Sequence, residues 1–160
     1  MIHFNQGVNM KCAVVYYSKT GVTKRIAGKI QAKFAADVYL VEPEKAYGGF
    51  FSAVVRVVGE KISRKGAALK TAVSDFAPYD IVFIGFPVWA GTVPDFLQEY
   101  IRKADLAGKR VIPFATASAT GKESSLKTLN ALLPESTITD YFFTSRRQPA
   151  DVAAWLDGIN

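Results

Sequence analysis

The sequence predicts an α/β domain, a five-stranded, mostly parallel sheet held between two layers of helix. Short and almost unbroken apolar runs alternate along the chain with segments of helical period, and strands covered on both faces read as such runs. The 160 residues, 49% hydrophobic and 21% charged, suffice for one core, and no repeat, low-complexity stretch or Ser/Pro linker divides them. Strand–helix alternation requires right-handed crossovers, which put helices on both faces and give a three-layer α/β/α sandwich.

The first element is the run Cys12 to Tyr17, whose β-branched and aromatic residues mark a central strand. After Ser18-Lys19-Thr20-Gly21 the period changes, and Val22, Ile26, Ile30 and Phe34 recur at helical spacing. Val38 to Val41 reads as a second strand stopped by Pro43, and Ile81 to Phe86 as a third, buried one. Between them Phe51, Val54, Val55, Val58 and Ile62 form the stripe of an amphipathic helix. That stripe faces either the core or a lid led by Tyr47, Phe50 and Phe51. Pro94 to Ile101 reads as a helix with Pro at its start, Arg110 to Ala115 as a strand and Ser124 to Leu133 as a helix. Thr137 to Phe143 follows as the fifth strand and Ala150 to Leu156 as the last helix. Met10 stands immediately before the first strand, so residues 1–10 are expected to be an N-terminal extension and 11–160 a single domain.

Composition removes several classes. The formal charge of +6 and pI near 9.4 favour anionic ligands without specifying one. The basic residues fall in pairs such as Lys24-Arg25, Arg64-Lys65, Lys109-Arg110 and Arg146-Arg147, with no run that marks a nucleic-acid tail. Cys12 has no second cysteine to pair with, and with His3 alone it builds no zinc site, so a reducing cytoplasmic setting fits. The N-terminus lacks the apolar region of a signal peptide, and Ile81 to Ala90 is too short to cross a bilayer, so no membrane insertion is expected. The dinucleotide Gly-x-Gly-x-x-Gly, the Gly-x-Ser-x-Gly elbow and the P-loop are all missing.

Ligands on open parallel sheets bind beyond the carboxyl ends of the strands, where strand order reverses, so the loops after the first, third and fourth strands carry the chemistry. The first, Ser18-Lys19-Thr20-Gly21-Val22-Thr23, sets three hydroxyls and a glycine at a helix start, where unpaired N–H groups and the helix dipole favour a phosphate. An ordinary Ser/Thr helix cap satisfies the same pattern. The second, Pro87-Val88-Trp89-Ala90-Gly91, places a Trp among small residues where a flat ring can dock, although Trp89 also fits a packing role. The third, Thr116-Ala117-Ser118-Ala119-Thr120-Gly121, again supplies small polar residues at a strand end.

Val14-Val15-Tyr16-Tyr17-Ser18-Lys19-Thr20-Gly21-Val22-Thr23 resembles the signature of the flavodoxin family: an apolar pair, an aromatic, Ser or Thr, then Thr-Gly-x-Thr. Gly85-Phe86-Pro87-Val88-Trp89 is similar to the Gly-x-Pro-x-Trp segment of flavodoxin-like proteins. The resemblance implies strand order 2-1-3-4-5 and FMN as cofactor. It implies that Ser18, Lys19, Thr20, Gly21, Val22 and Thr23 hold the phosphate. It sets Pro87, Val88, Trp89, Ala90 and Gly91 against the isoalloxazine, and Thr116, Ala117, Ser118, Ala119, Thr120 and Gly121 at its pyrimidine edge. The fifth strand lacks a long insertion, which is the short-chain pattern.

Two departures stand out. Lys19 charges a loop that is usually neutral, and residues 117–125 contain no aromatic to cover the outer flavin face. The leading expectation is an FMN electron-transfer flavoprotein, with no catalytic acid or base and no metal, working with a redox partner protein or a small electron acceptor. The open ring face and the basic charge keep an NAD(P)H-dependent quinone or flavin reductase as the alternative, and a flavin-free partner-binding module stands third.

Overall fold

Strand β1 (Cys12–Tyr16) is buried along its whole length and alternates its side chains between two cores, as the period of two requires. Cys12, Val14 and Tyr16 face one layer of helix, and Ala13 and Val15 face the other. A computed structural model describes residues 9–44 and 69–160. The amphipathic segment from Phe51 to Ile62, the Tyr47–Phe51 lead and most of the N-terminal extension lie outside the described residues.

The described chain runs β1, α1 (Val22–Phe34), β2 (Asp37–Leu40), β3 (Ile81–Pro87), α2 (Asp95–Lys103), β4 (Arg110–Ala117), α3 (Lys122–Leu132), β5 (Thr137–Ile138), β6 (Phe142–Ser145) and α4 (Val152–Asp157). Among the described residues these strands all pair in parallel, in the order β2-β1-β3-β4-β5, with β6 also on β4. The predicted sheet order therefore stands. Helices α1 and α4 share one core with Phe83, Ile112, Phe114 and Phe142. Helices α2 and α3 pack Phe96, Leu97, Tyr100 and Leu129 on the other face against Val82, Ile84, Phe86 and Val111. Each of these fully buried side chains contributes about 1.5–3 kcal/mol. Cys12 is buried within this frame, and its burial pushes the thiol up from its ordinary range, the behaviour of an unreactive cysteine.

The fifth strand differs from expectation. It is not continuous from Thr137 to Phe143 but is broken into β5 and β6, both on β4. Val111 pairs with Ile138 and Phe114 with Phe142, so three steps along β4 match four along its neighbour. One extra residue makes a bulge. Its cause lies in β4. The carbonyls of Val111 and Ala117 accept from the amides of Thr139 and Arg146, so odd-numbered residues of β4 turn their polar groups toward this side. Pro113 faces the same way and has no N–H to donate. The ladder breaks where that donor is missing, and Asp140 takes a left-handed φ of 53° in the gap.

Arg110 closes the gap. Its Nε donates to Thr139 Oγ1 (2.8 Å), and its Nη2 to Asp140 Oδ2 (2.6 Å). The Trp155 indole donates to the Asp140 carbonyl (2.7 Å) and stacks on Phe142 at 4.6 Å. Hydrogen bonding from Thr139, then from Arg110, holds the Asp140 carboxyl below its ordinary value. A lowered carboxylate stabilises the fold above the unfolded pKa of about 4, and the contribution is lost as pH falls through the folded value. Asp140→Asn keeps a residue that tolerates left-handed backbone while removing the charge. In urea titrations it should unfold more easily than wild type at pH 7, with the gap narrowing as pH falls below about 4 toward the lowered folded value. A gap that persists in acid would show that the charge is not what holds the bulge.

Candidate functional site

Parallel register brings the ends of β1, β3 and β4 level, with Tyr16 opposite Gly85 and Pro87 opposite Thr116. The three singled-out loops thus emerge side by side. In the first, Gly21 caps α1 with φ 91°, a left-handed conformation natural to glycine. Among the described residues no side chain hydrogen-bonds the first-turn amides at this cap, and a Cβ on Gly21 would meet nothing within 4 Å. The Ser18 hydroxyl is drawn back onto the Gly21 amide (3.1 Å) and shapes the loop. Lys19, Thr20 and Val22 are exposed. The arrangement is an open cradle of backbone donors at the positive end of a helix dipole, a fit for a phosphate.

Thr23 has a different setting from its neighbours. It is 2% exposed, and its Oγ1 lies 3.0 Å from Oγ1 of buried Thr116, the two hydroxyls hydrogen-bonded. This contact ties the first turn of α1 to the end of β4. It joins the first loop to the third, and the partners are 93 residues apart.

The second loop is built as a tight reverse turn. The amides of Trp89 and Thr92 each donate to the other's carbonyl, at 2.9 and 3.0 Å. Ala90 and Gly91 between them take φ values of 47° and 78°. Left-handed Ala90 costs on the order of 1 kcal/mol, which neighbouring contacts offset. The Val88 amide donates to the Thr116 carbonyl (2.8 Å), Ser124 Oγ donates to the Gly91 carbonyl, and Thr92 hydrogen-bonds Thr128 (2.7 Å). Gly121, at φ 118°, closes against the same loop, and a Cβ there would lie 2.5 Å from Val88 Cγ1. Second and third loops therefore form one rigid unit.

Trp89 is half-buried and held edge-on by Tyr17 (5.3 Å) and Phe96 (6.1 Å). Lys19 Nζ lies 5.8 Å from its ring centre, a cation–π distance. The phosphate cradle and the aromatic wall are thus adjacent. Burial, then the Glu42 carboxylate, pushes the Tyr17 phenol up, so it stays protonated beneath Trp89. The supports Tyr17, Phe96, Ser124 and Thr128 carry no sequence signal of this role, because their partners are set by the fold.

The chain matches the family described as Flavodoxin over residues 11–159. It is a member of the flavodoxin family. This flavodoxin-family chain is similar in structure to a candidate flavoprotein from Bacteroides uniformis, at 28% identity and a TM-score of 0.80, covering 92% of this chain and 98% of that one. A candidate flavoprotein from Bacteroides eggerthii matches at 29% identity and 0.76, covering 92% and 96%. A flavoprotein from Lactobacillus acidophilus solved in complex with FMN matches at 19% identity and 0.72, covering 92% and 99%, a likeness of fold. No curated protein sequence matches.

The buried hydroxyl pair makes a sharp prediction. Thr116→Val leaves the Thr23 hydroxyl buried alone, which costs about 1–3 kcal/mol, whereas replacing both by Val is nearly neutral. Chemical denaturation should show the single variant less stable than Thr23→Val/Thr116→Val. Equal loss in single and double variants would deny the pair its linking role.

Proposed function

We propose that this chain holds FMN across the three loops and uses it to transfer electrons. The observation that carries the reading is the bare helix start at Gly21, with no side-chain cap, set beside the buttressed ring of Trp89. The two halves match an anionic phosphate and a flat aromatic system. Bound FMN would supply the redox chemistry, one or two electrons at a time, and the protein supplies binding, orientation and electrostatics.

The chain's own groups have defined parts in this reading. Amides of the first turn of α1 and the hydroxyl of Thr20 hold the phosphate by charge-assisted hydrogen bonds. Trp89, fixed by Tyr17 and Phe96, offers its ring to the isoalloxazine. Backbone donors of residues 117–121 face the pyrimidine edge. No acid or base is needed. A second reading, an NAD(P)H-dependent quinone or flavin reductase, draws on the basic charge and on residues 117–125, which contain no aromatic to cover the outer ring face.

Titration of apo-protein with FMN, followed by quenching of flavin fluorescence, tests the cofactor and the cradle together. Thr20→Glu puts a carboxylate on the exposed lip, where like charges a few ångströms apart repel by about 1–4 kcal/mol, so FMN should bind at least about tenfold more weakly. Unchanged affinity would move the phosphate elsewhere, and no quenching with wild type would remove FMN.

A further inference from the structure

Beyond the cofactor loops, the carboxyl edge of the sheet carries a group of cations that none of the binding contacts uses. Arg146 and Arg147 follow β6, whose last residue, Ser145, pairs with Ala117 at the end of β4. They are therefore level with Ser118 of the third loop. The turn that presents them is tightly held. The Ser145 amide donates to the Gln148 carbonyl (3.1 Å), the Gln148 amide to Ser145 Oγ (3.0 Å) and the Arg146 amide to the Ala117 carbonyl (3.3 Å). Ser145 is 6% exposed, whereas both arginines are exposed.

Lys122 begins α3, and Lys24 and Arg25 lie in the first turns of α1, all exposed on the same edge. Among the described residues, none of these five cations forms an ion pair. The described acidic groups of this edge are Glu42, ion-paired with Lys70, and Glu44 after β2, Asp95 in the first turn of α2, and two that lie closer to the arginine turn and α3. Asp151 is engaged by the Ala154 amide at the cap of α4, and Glu123 stands in the first turn of α3. Val22, 37% exposed, adds an apolar contact among the charges.

A phosphate pocket would converge backbone donors on one point. Here three of the four amides from Ser145 to Gln148 are already consumed, and the cations are spread over one turn and the starts of two helices. Side-chain charge distributed around a redox site steers a macromolecular partner. Resting on the FMN reading above, we propose that the Arg146–Arg147 turn, with Lys122, Lys24 and Arg25, is the docking surface for an electron-transfer protein that is acidic around its own redox centre.

The test uses the FMN-loaded full chain, reduced by dithionite, and two probes with the same haem: native cytochrome c, which is basic, and succinylated cytochrome c, whose lysines carry carboxylates. Each reduced flavin gives two electrons to two ferric haems and two protons to solvent. In stopped flow at low salt the succinylated form should be reduced faster, by about tenfold or more, and its rate should fall as salt rises. Arg146→Glu/Arg147→Glu, outside the cofactor loops, should keep FMN and its unfolding midpoint while losing that preference. Equal rates for the two probes, or a faster native form, would overturn the proposal. So would retention of the preference in the double variant. If NADPH reduces the flavin rapidly and the double variant blocks that step, the arginines serve a dinucleotide phosphate and the docking surface falls. A chain that holds no FMN overturns the cofactor reading first, a result distinguished by the missing flavin absorbance.

Discussion

Parallel pairing of β1, β3 and β4 is the constraint on which the rest of the site depends. It aligns Tyr16, Gly85 and Phe114 across the sheet, so the three following loops leave from one edge. Right-handed crossovers then bury one side of each strand under α1 and α4 and the other under α2 and α3. The loops inherit rigid anchors. A phosphate cradle and an aromatic wall come together because strand register makes them neighbours, although their residues are far apart in sequence.

Small polar contacts refine what the register supplies. The Thr23–Thr116 pair fixes the start of α1 to β4. Val88, Gly91 and Thr92 fasten the Trp89 turn to the third loop and to α3. Among the described residues, these contacts leave the first-turn amides of α1 after Gly21 uncommitted to side chains, the Gly21 amide itself being held by Ser18. The division is physically economical: side chains hold the loops to one another, and backbone donors face outward. At the far side of the same edge, the Arg146–Arg147 turn is ordered by its own backbone bonds, which leaves its charge to act at long range.

Most of the fold was legible because its signals are local. The run from Cys12 to Tyr17 and the stripe Val22, Ile26, Ile30, Phe34 declare a strand and a helix by period alone, and β1 and α1 follow them closely. Helix α3 starts at Lys122, two residues before the expected Ser124, because Gly121 adopts a left-handed cap that a Ser-based start signal does not register. The break in the fifth strand has a non-local cause. Thr137 to Phe143 reads as one strand, but its break is imposed by Pro113 in the neighbouring strand and by Arg110 and Trp155 reaching into the gap. Within the site, the glycine and hydroxyl pattern was readable. The turning of Thr23 inward to Thr116 was not, since its partner is fixed only by sheet register.

The central claim is that the backbone cradle at Gly21 anchors FMN through its phosphate. The most direct measurement compares the affinity of the apo-protein for FMN and for riboflavin, which has the same ring and no phosphate. Charge-assisted hydrogen bonds contribute about 1.5–3 kcal/mol each, so riboflavin should bind on the order of a hundredfold more weakly or worse. Equal affinity for the two would show that the ring is held without the cradle, and would contradict the account.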